Sequence, residues 1–117
     1  MRKELEKGFL DISSDVFASI CGYITSKCFG VIGMSPASVS DGIIRLLKRD
    51  NISHGVKVSV EADGSANVEL HIVVRYGVNI TAICRSIISE VKYMVENLTG
   101  IKVNSVDICV DSVMIEN

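Results

Sequence analysis

Val56-Lys57-Val58-Ser59-Val60-Glu61-Ala62-Asp63-Gly64-Ser65-Ala66-Asn67-Val68-Glu69-Leu70-His71-Ile72-Val73-Val74-Arg75-Tyr76 decides the fold. Val56, Val58 and Val60 alternate with Lys57, Ser59 and Glu61, the two-residue period of a half-buried strand. Asp63-Gly64 is a strong turn signal. Beyond it, Val68, Leu70, Ile72, Val74 and Tyr76 fall on one face. Asn67, Glu69, His71 and Arg75 fall on the other, where Val73 is the apolar exception. The stretch is therefore an antiparallel hairpin with one buried and one mostly polar face.

Asn79 follows as a helix cap. Ile80, Ile83, Cys84, Ile87, Ile88, Val91, Met94, Val95 and Leu98 recur at helical spacing. Thr99-Gly100 ends this helix, which spans about 30 Å at about 1.5 Å per residue. A last strand places Val106, Ile108 and Val110 inward and Asp107, Cys109 and Asp111 outward. The strand–helix–strand step should cross over right-handed, which makes the Val68 and Val106 strands parallel.

Before the hairpin, Met1 to Lys7 is a polar lead, either a frayed helix or an ordered tail. Phe9 to Ile12 suits a short strand. Ser13 is a good N-cap, with Asp15 in the first turn where the helix dipole favours an anion. Val16, Phe17, Ile20, Cys21, Ile24 and Cys28 mark a helix that Gly30 ends. Gly30-Val31-Ile32-Gly33-Met34 reads as a short strand or a tight loop, punctuated by Pro36. Ser38 or Ser40 is expected to cap a short second helix carrying Ile43, Ile44, Leu46 and Leu47 and ending in Lys48-Arg49. The expectation is one α+β domain over residues 1–117, a small mixed sheet packed on one face by two main helices and a short helix. Its order is β-α-(β)-α-β-β-α-β.

The 117 residues are enough for one domain, and 48% hydrophobic content supplies its core without disulfides or metals. A net charge of −2 argues against a dedicated nucleic-acid binder or a polybasic membrane-surface protein. The lead shows no signal-peptide core, and the longest charge-free run, Cys28 to Ser40, is too short to span a bilayer. Direct membrane insertion is not expected. The four cysteines, Cys21, Cys28, Cys84 and Cys109, read as reduced thiols, three of them in apolar-patterned helices of a cytoplasmic protein.

No catalytic constellation, cofactor motif or metal site emerges. Cys21 and Cys28 lie about 10.5 Å apart along one helix, too far to share a zinc. His54 and His71 have no ligand at a metal spacing, and Glu69 beside His71 reads as a solvated pair. Asp107 and Asp111 read as polar exterior. Gly30-Val31-Ile32-Gly33 lacks the Walker lysine and the dinucleotide spacing.

Ile12-Ser13, Gly30-Val31 with Gly33-Met34, and Gly55-Val56-Lys57-Val58 form an ordered set of motifs. Val73-Val74-Arg75-Tyr76-Gly77 and Thr99-Gly100-Ile101-Lys102-Val103 continue it, before Val106-Asp107-Ile108-Cys109-Val110. Together, from about Gly8 to Val113, they resemble the alkaline shock protein family. The resemblance implies non-catalytic cytoplasmic proteins of Gram-positive bacteria, tied to envelope stress and homeostasis. Some members are held near the membrane by a small membrane-protein partner. Self-association or such a protein partner is the expected mode of action. Gly30, Gly33, Met34, Val73, Tyr76, Gly77, Met94 and Gly100 are the structural or interaction candidates.

The element order through the long helix also resembles a KH RNA-binding domain, whose Gly-x-x-Gly loop clamps a nucleic-acid backbone. Val31 and Ile32 offer phosphates no charge. A basic stripe of Lys27, Arg45, Lys48 and Arg49 would favour that alternative.

Overall fold

The computed structural model describes residues 2–5, 8–37 and 45–115. The hairpin forms as its alternation requires. Strands β4 (Val56–Val60) and β5 (Ala66–Arg75) pair antiparallel, Val58 opposite Val68. In the turn, Asp63 Oδ1 accepts from the backbone N–H and the hydroxyl of Ser65 at 2.9 and 2.6 Å. Asn79 Oδ1 accepts from the Ala82 N–H at 3.0 Å and opens helix α2 (Ile80–Thr99). Gly100 ends it in the left-handed region at φ 73°. Strand β6 (Val103–Met114) then returns parallel to β5, as the crossover argument expects.

Helix α1 (Ser14–Ser26) is capped by Ser13, whose hydroxyl accepts from the Val16 N–H. It stops at Lys27, three residues before Gly30, so Cys28 lies just past the helix rather than within it. Strand β3 (Val31–Met34) follows and pairs antiparallel with β5.

Strand β5 is the axis of the sheet. One of its edges is shared end to end by β4, opposite Ala66–Leu70, and β3, opposite Ile72–Val74. Its other edge is filled by β6 through ten paired positions, from Ala66↔Val103 to Arg75↔Met114. The sheet is mixed, with helices covering its apolar face. Phe17, Cys21, Met34, Val68, Leu70, Ile72, Val74, Ile87, Val91 and Val95 close the core at that interface. Register shifts in β6 fall between Val103 and Ser105 and between Val110 and Ser112. The second is a bulge at Asp111, a device that re-aims side chains.

Three expectations need correction. The lead is neither helix nor tail: β1 (Arg2–Leu5) pairs antiparallel with β2 (Gly8–Asp11) as a separate two-stranded sheet. The short helix expected after Ser38 or Ser40 falls partly outside the described residues. Within them, residues 45–48 have no regular structure, and a 3-10 helix follows over Arg49–Gly55. Of the two readings of Gly30-Val31-Ile32-Gly33-Met34, the short strand is the one that forms, as β3. Tyr76 lies beyond the strand and is 71% exposed instead of inward-facing.

Candidate interaction surface

The eight candidate residues divide by burial. Met34 and Val73 are fully enclosed and unavailable to a partner. Val73 keeps the outward parity that its place in β5 dictates. However, Leu46 packs on Gly33, the cross-strand partner of Val73, so the following chain roofs this part of the outer face. The Leu47 N–H bonds the Met34 carbonyl at 2.8 Å and closes that edge of β3. Gly30, Gly77 and Gly100 serve the backbone, each at positive φ. Tyr76 and Met94 are exposed and remain interaction candidates.

Tyr76 stands where three segments meet. The Tyr76 N–H bonds the Met114 carbonyl, and the Arg75 N–H bonds the Gly30 carbonyl. These bonds bring the end of β6, the β5–α2 turn and the α1–β3 turn to one end of the sheet. Phe29 (80% exposed), Ile80, Val113 and Ile115 (75% exposed) are the exposed apolar residues that these segments carry. A groove of about 420 Å³ between Phe29, Val78, Ala82 and Ile83 adjoins them. Among the described residues, β6 has β5 as its one strand partner, so its other edge is unpaired over the length of the strand. The outer edge of β4 is likewise without a strand.

Helix α2 adds an apolar margin. Ile83, Ile87, Val91, Val95 and Thr99 are its buried row. An i, i+4 row drifts about 40° around the helix at each step, so the buried face turns along its length. Ile88 is left on one flank, and Met94 and Leu98 on the other. These residues were legible as apolar, but not as exposed.

The outer sheet face is less passive than the sequence suggests. His71 is bracketed: its Nε2 lies 2.7 Å from Glu69 Oε2 and its Nδ1 lies 3.0 Å from Asp111 Oδ2. Its side chain is 12% exposed and that of Glu69 37%, so the pair meets solvent on the Glu69 side and is covered on the other. Ser35 Oγ donates to the same Asp111 oxygen at 2.5 Å, and Lys57 Nζ stands 3.9 Å from Glu69. Asp111 is thus a shared acceptor rather than plain exterior. Ser35 donates to Asp111 and not to His71, so no nucleophile–base hydrogen bond is made. Cys109 opposes His71 across the strands. Burial pushes its thiol up, and Glu69, Asp111 and Asp107 push it further against the opposing Lys57. All four cysteines are free thiols. Burial also raises Cys21 and Cys28, each to about 12, and the Glu90 carboxylate at 3.5 Å adds to the shift at Cys28.

Of the basic stripe, Lys27 and Arg49 meet over the Tyr23 ring, at 5.4 and 5.1 Å from its centroid. The loop that a KH domain would use beside such a cluster is taken up by β3. No described helix is long and apolar enough to cross a membrane.

A family model for the alkaline shock protein 23 family, described as having a cell envelope-related function, matches residues 2–115. An uncharacterised Bacillus subtilis protein, YloU, is 34% identical over 111 residues, 94% of this chain and 92% of that protein. Spy1614 of Streptococcus pyogenes, also described as uncharacterised, is 30% identical over 109 residues, 92% of this chain and 89% of its own. A second B. subtilis protein, YqhY, is 27% identical over 101 residues, covering 86% and 73%. No solved structure matches the chain. Neither the family description nor these names carries a reaction.

Proposed function

The chain belongs to the alkaline shock protein 23 family, whose function is cell envelope-related, and from that premise we propose that it is a non-catalytic interaction module acting at the cytoplasmic side of the envelope. It works by docking a protein segment along β6 and over the apolar end of the sheet. The observation that carries this reading is the unpaired edge of β6, which runs into the exposed Val113 and Ile115. An unpaired edge offers a row of backbone donors and acceptors to an added strand, and adjacent apolar side chains supply area to bury. Phe29, Tyr76 and Ile80 widen that area.

The test is affinity capture with the tagged chain, keeping soluble and membrane fractions apart, with and without RNase. A Tyr76→Asp/Ile115→Asp variant runs in parallel. Capture that survives RNase and falls at least tenfold in the variant supports the module. Equal capture by the variant, or capture abolished by RNase, overturns it. Sedimentation of the purified chain separates a second copy from a different partner.

A further inference from the structure

Strands β5 and β6 bring together three side chains that the sequence keeps far apart. One donor atom each from Glu69, His71 and Cys109 lies within 4.8 Å of the other two. His71 and Cys109 are register partners, and Glu69 is two residues before His71 on the same face. The donors are a carboxylate oxygen, an imidazole nitrogen and a thiol sulfur. We propose that Glu69, His71 and Cys109 form a binding site for a divalent ion of borderline softness, zinc above all, on the outer face of the sheet.

The geometry is close to what such an ion needs. With bonds of about 2.0–2.3 Å, the ligand atoms of a tetrahedral zinc stand about 3.5 Å apart. From within 4.8 Å of one another, the donors have at most about 1.3 Å to close to that spacing. Glu69 Oε2 and His71 Nε2 now lie 2.7 Å apart, bridged by a hydrogen bond. A metal ion between them opens that pair by less than about 1 Å. The Glu69 side chain is 37% exposed, which leaves water access to the cluster from that side.

What lies behind the histidine argues for a built site. Asp111 receives His71 Nδ1 at 3.0 Å and is itself held by Ser35 Oγ at 2.5 Å. A ligating histidine characteristically gives its other ring nitrogen to a carboxylate, which fixes the ring and raises the basicity of the ligating nitrogen. Here that carboxylate sits on a bulge of β6 and is anchored by a serine 76 positions away in sequence. The surrounding charges favour a cation: Glu69, Asp107 and Asp111 face the thiol, opposed by Lys57 alone among the groups acting on it. The Lys57 side chain is 59% exposed and free to swing into water. The donor set matches zinc, because thiolate and imidazole disfavour magnesium and calcium. Binding displaces the thiol proton, so affinity should weaken as pH falls. A bound ion would tie β6 to β5 midway along their pairing, independently of what docks at the free edge.

The test uses the purified full chain, stripped with chelator, and adds zinc(II) or cobalt(II). The site predicts one ion per chain and a thiolate-to-cobalt charge-transfer band. At about a hundredfold excess over Kd, zinc should also raise Tm by on the order of 10 °C. Cys109→Ser should abolish the charge-transfer band, and His71→Gln should weaken zinc binding at least tenfold. Asp111→Asn should weaken it about 10–100-fold. Cys84→Ser, checked for the same apo Tm as the parent, should bind as the parent does. Absence of the cobalt band in the folded parent chain, or equal zinc affinity in the parent, Cys109→Ser and His71→Gln, overturns the site.

Discussion

Gly30 and Gly64 share a backbone conformation and differ in everything around it. Both sit near φ +87°, at 86° and 88°, where a side chain is strained. At Gly64 an added methyl meets open space, whereas at Gly30 it overlaps Ile83 of α2. Gly64→Ala should cost about 1–2 kcal/mol, the conformational penalty alone. Gly30→Ala should cost about 2–5 kcal/mol, because the overlap adds to it. Urea titrations of the two variants check the contrast. Cys21 makes a second prediction. Its thiol is buried, and its value of about 12 stands above the 9.0 of an exposed thiol. The folded chain therefore holds this proton more tightly than the unfolded chain. The resulting stability is complete below pH 9 and is lost as pH rises toward 12. The decline approaches about 1.4 kcal/mol per pH unit for this one group. Cys21→Ala should be less stable at neutral pH yet show a flatter alkaline slope, measured by urea denaturation at each pH.

At the scale of elements, α2 separates packing from contact. Ile87→Ala removes a fully buried side chain and should cost about 2–5 kcal/mol. Leu98→Ala, at a position 65% exposed, should stay within about 0.5 kcal/mol of the parent. If the margin contributes to docking, the Leu98 variant lowers partner capture while its Tm holds. The helix itself was readable because an apolar row, an Asn cap and a Gly stop agree. Which flank would be covered was not, since that depends on the angle at which helix meets sheet. The hairpin was legible from its two-residue period and its Asp-Gly turn. The stretch from Arg45 to Gly55 was not. Leu46 and Leu47 carry helical spacing with their neighbours, yet they are used to roof Gly33 and to close the β3 edge. Tertiary contact overrides local pattern there. The same roof turns Val73, outward by parity, into a buried residue.

The polar cluster on the outer face belongs to the whole molecule, because His71 and Asp111 are 40 positions apart and meet only through the parallel pairing. Parity alone put the right residues on that face, but it could not say which would touch. Among the described residues, β5 is paired on both edges and β6 on one. Amide hydrogen exchange should therefore find the slowest amides in β5, with alternate amides of β6 exchanging much faster. Loss of that alternation on adding a partner would mark strand addition at the free edge. The ten-position pairing of β5 with β6 also has a mechanical side. Tension drawn along the axis of β6 from its far end loads all the ladder bonds at once, as shear. Tension across it peels them one at a time. A tether attached beyond Met114 is thus held firmly in one direction and released easily in the other.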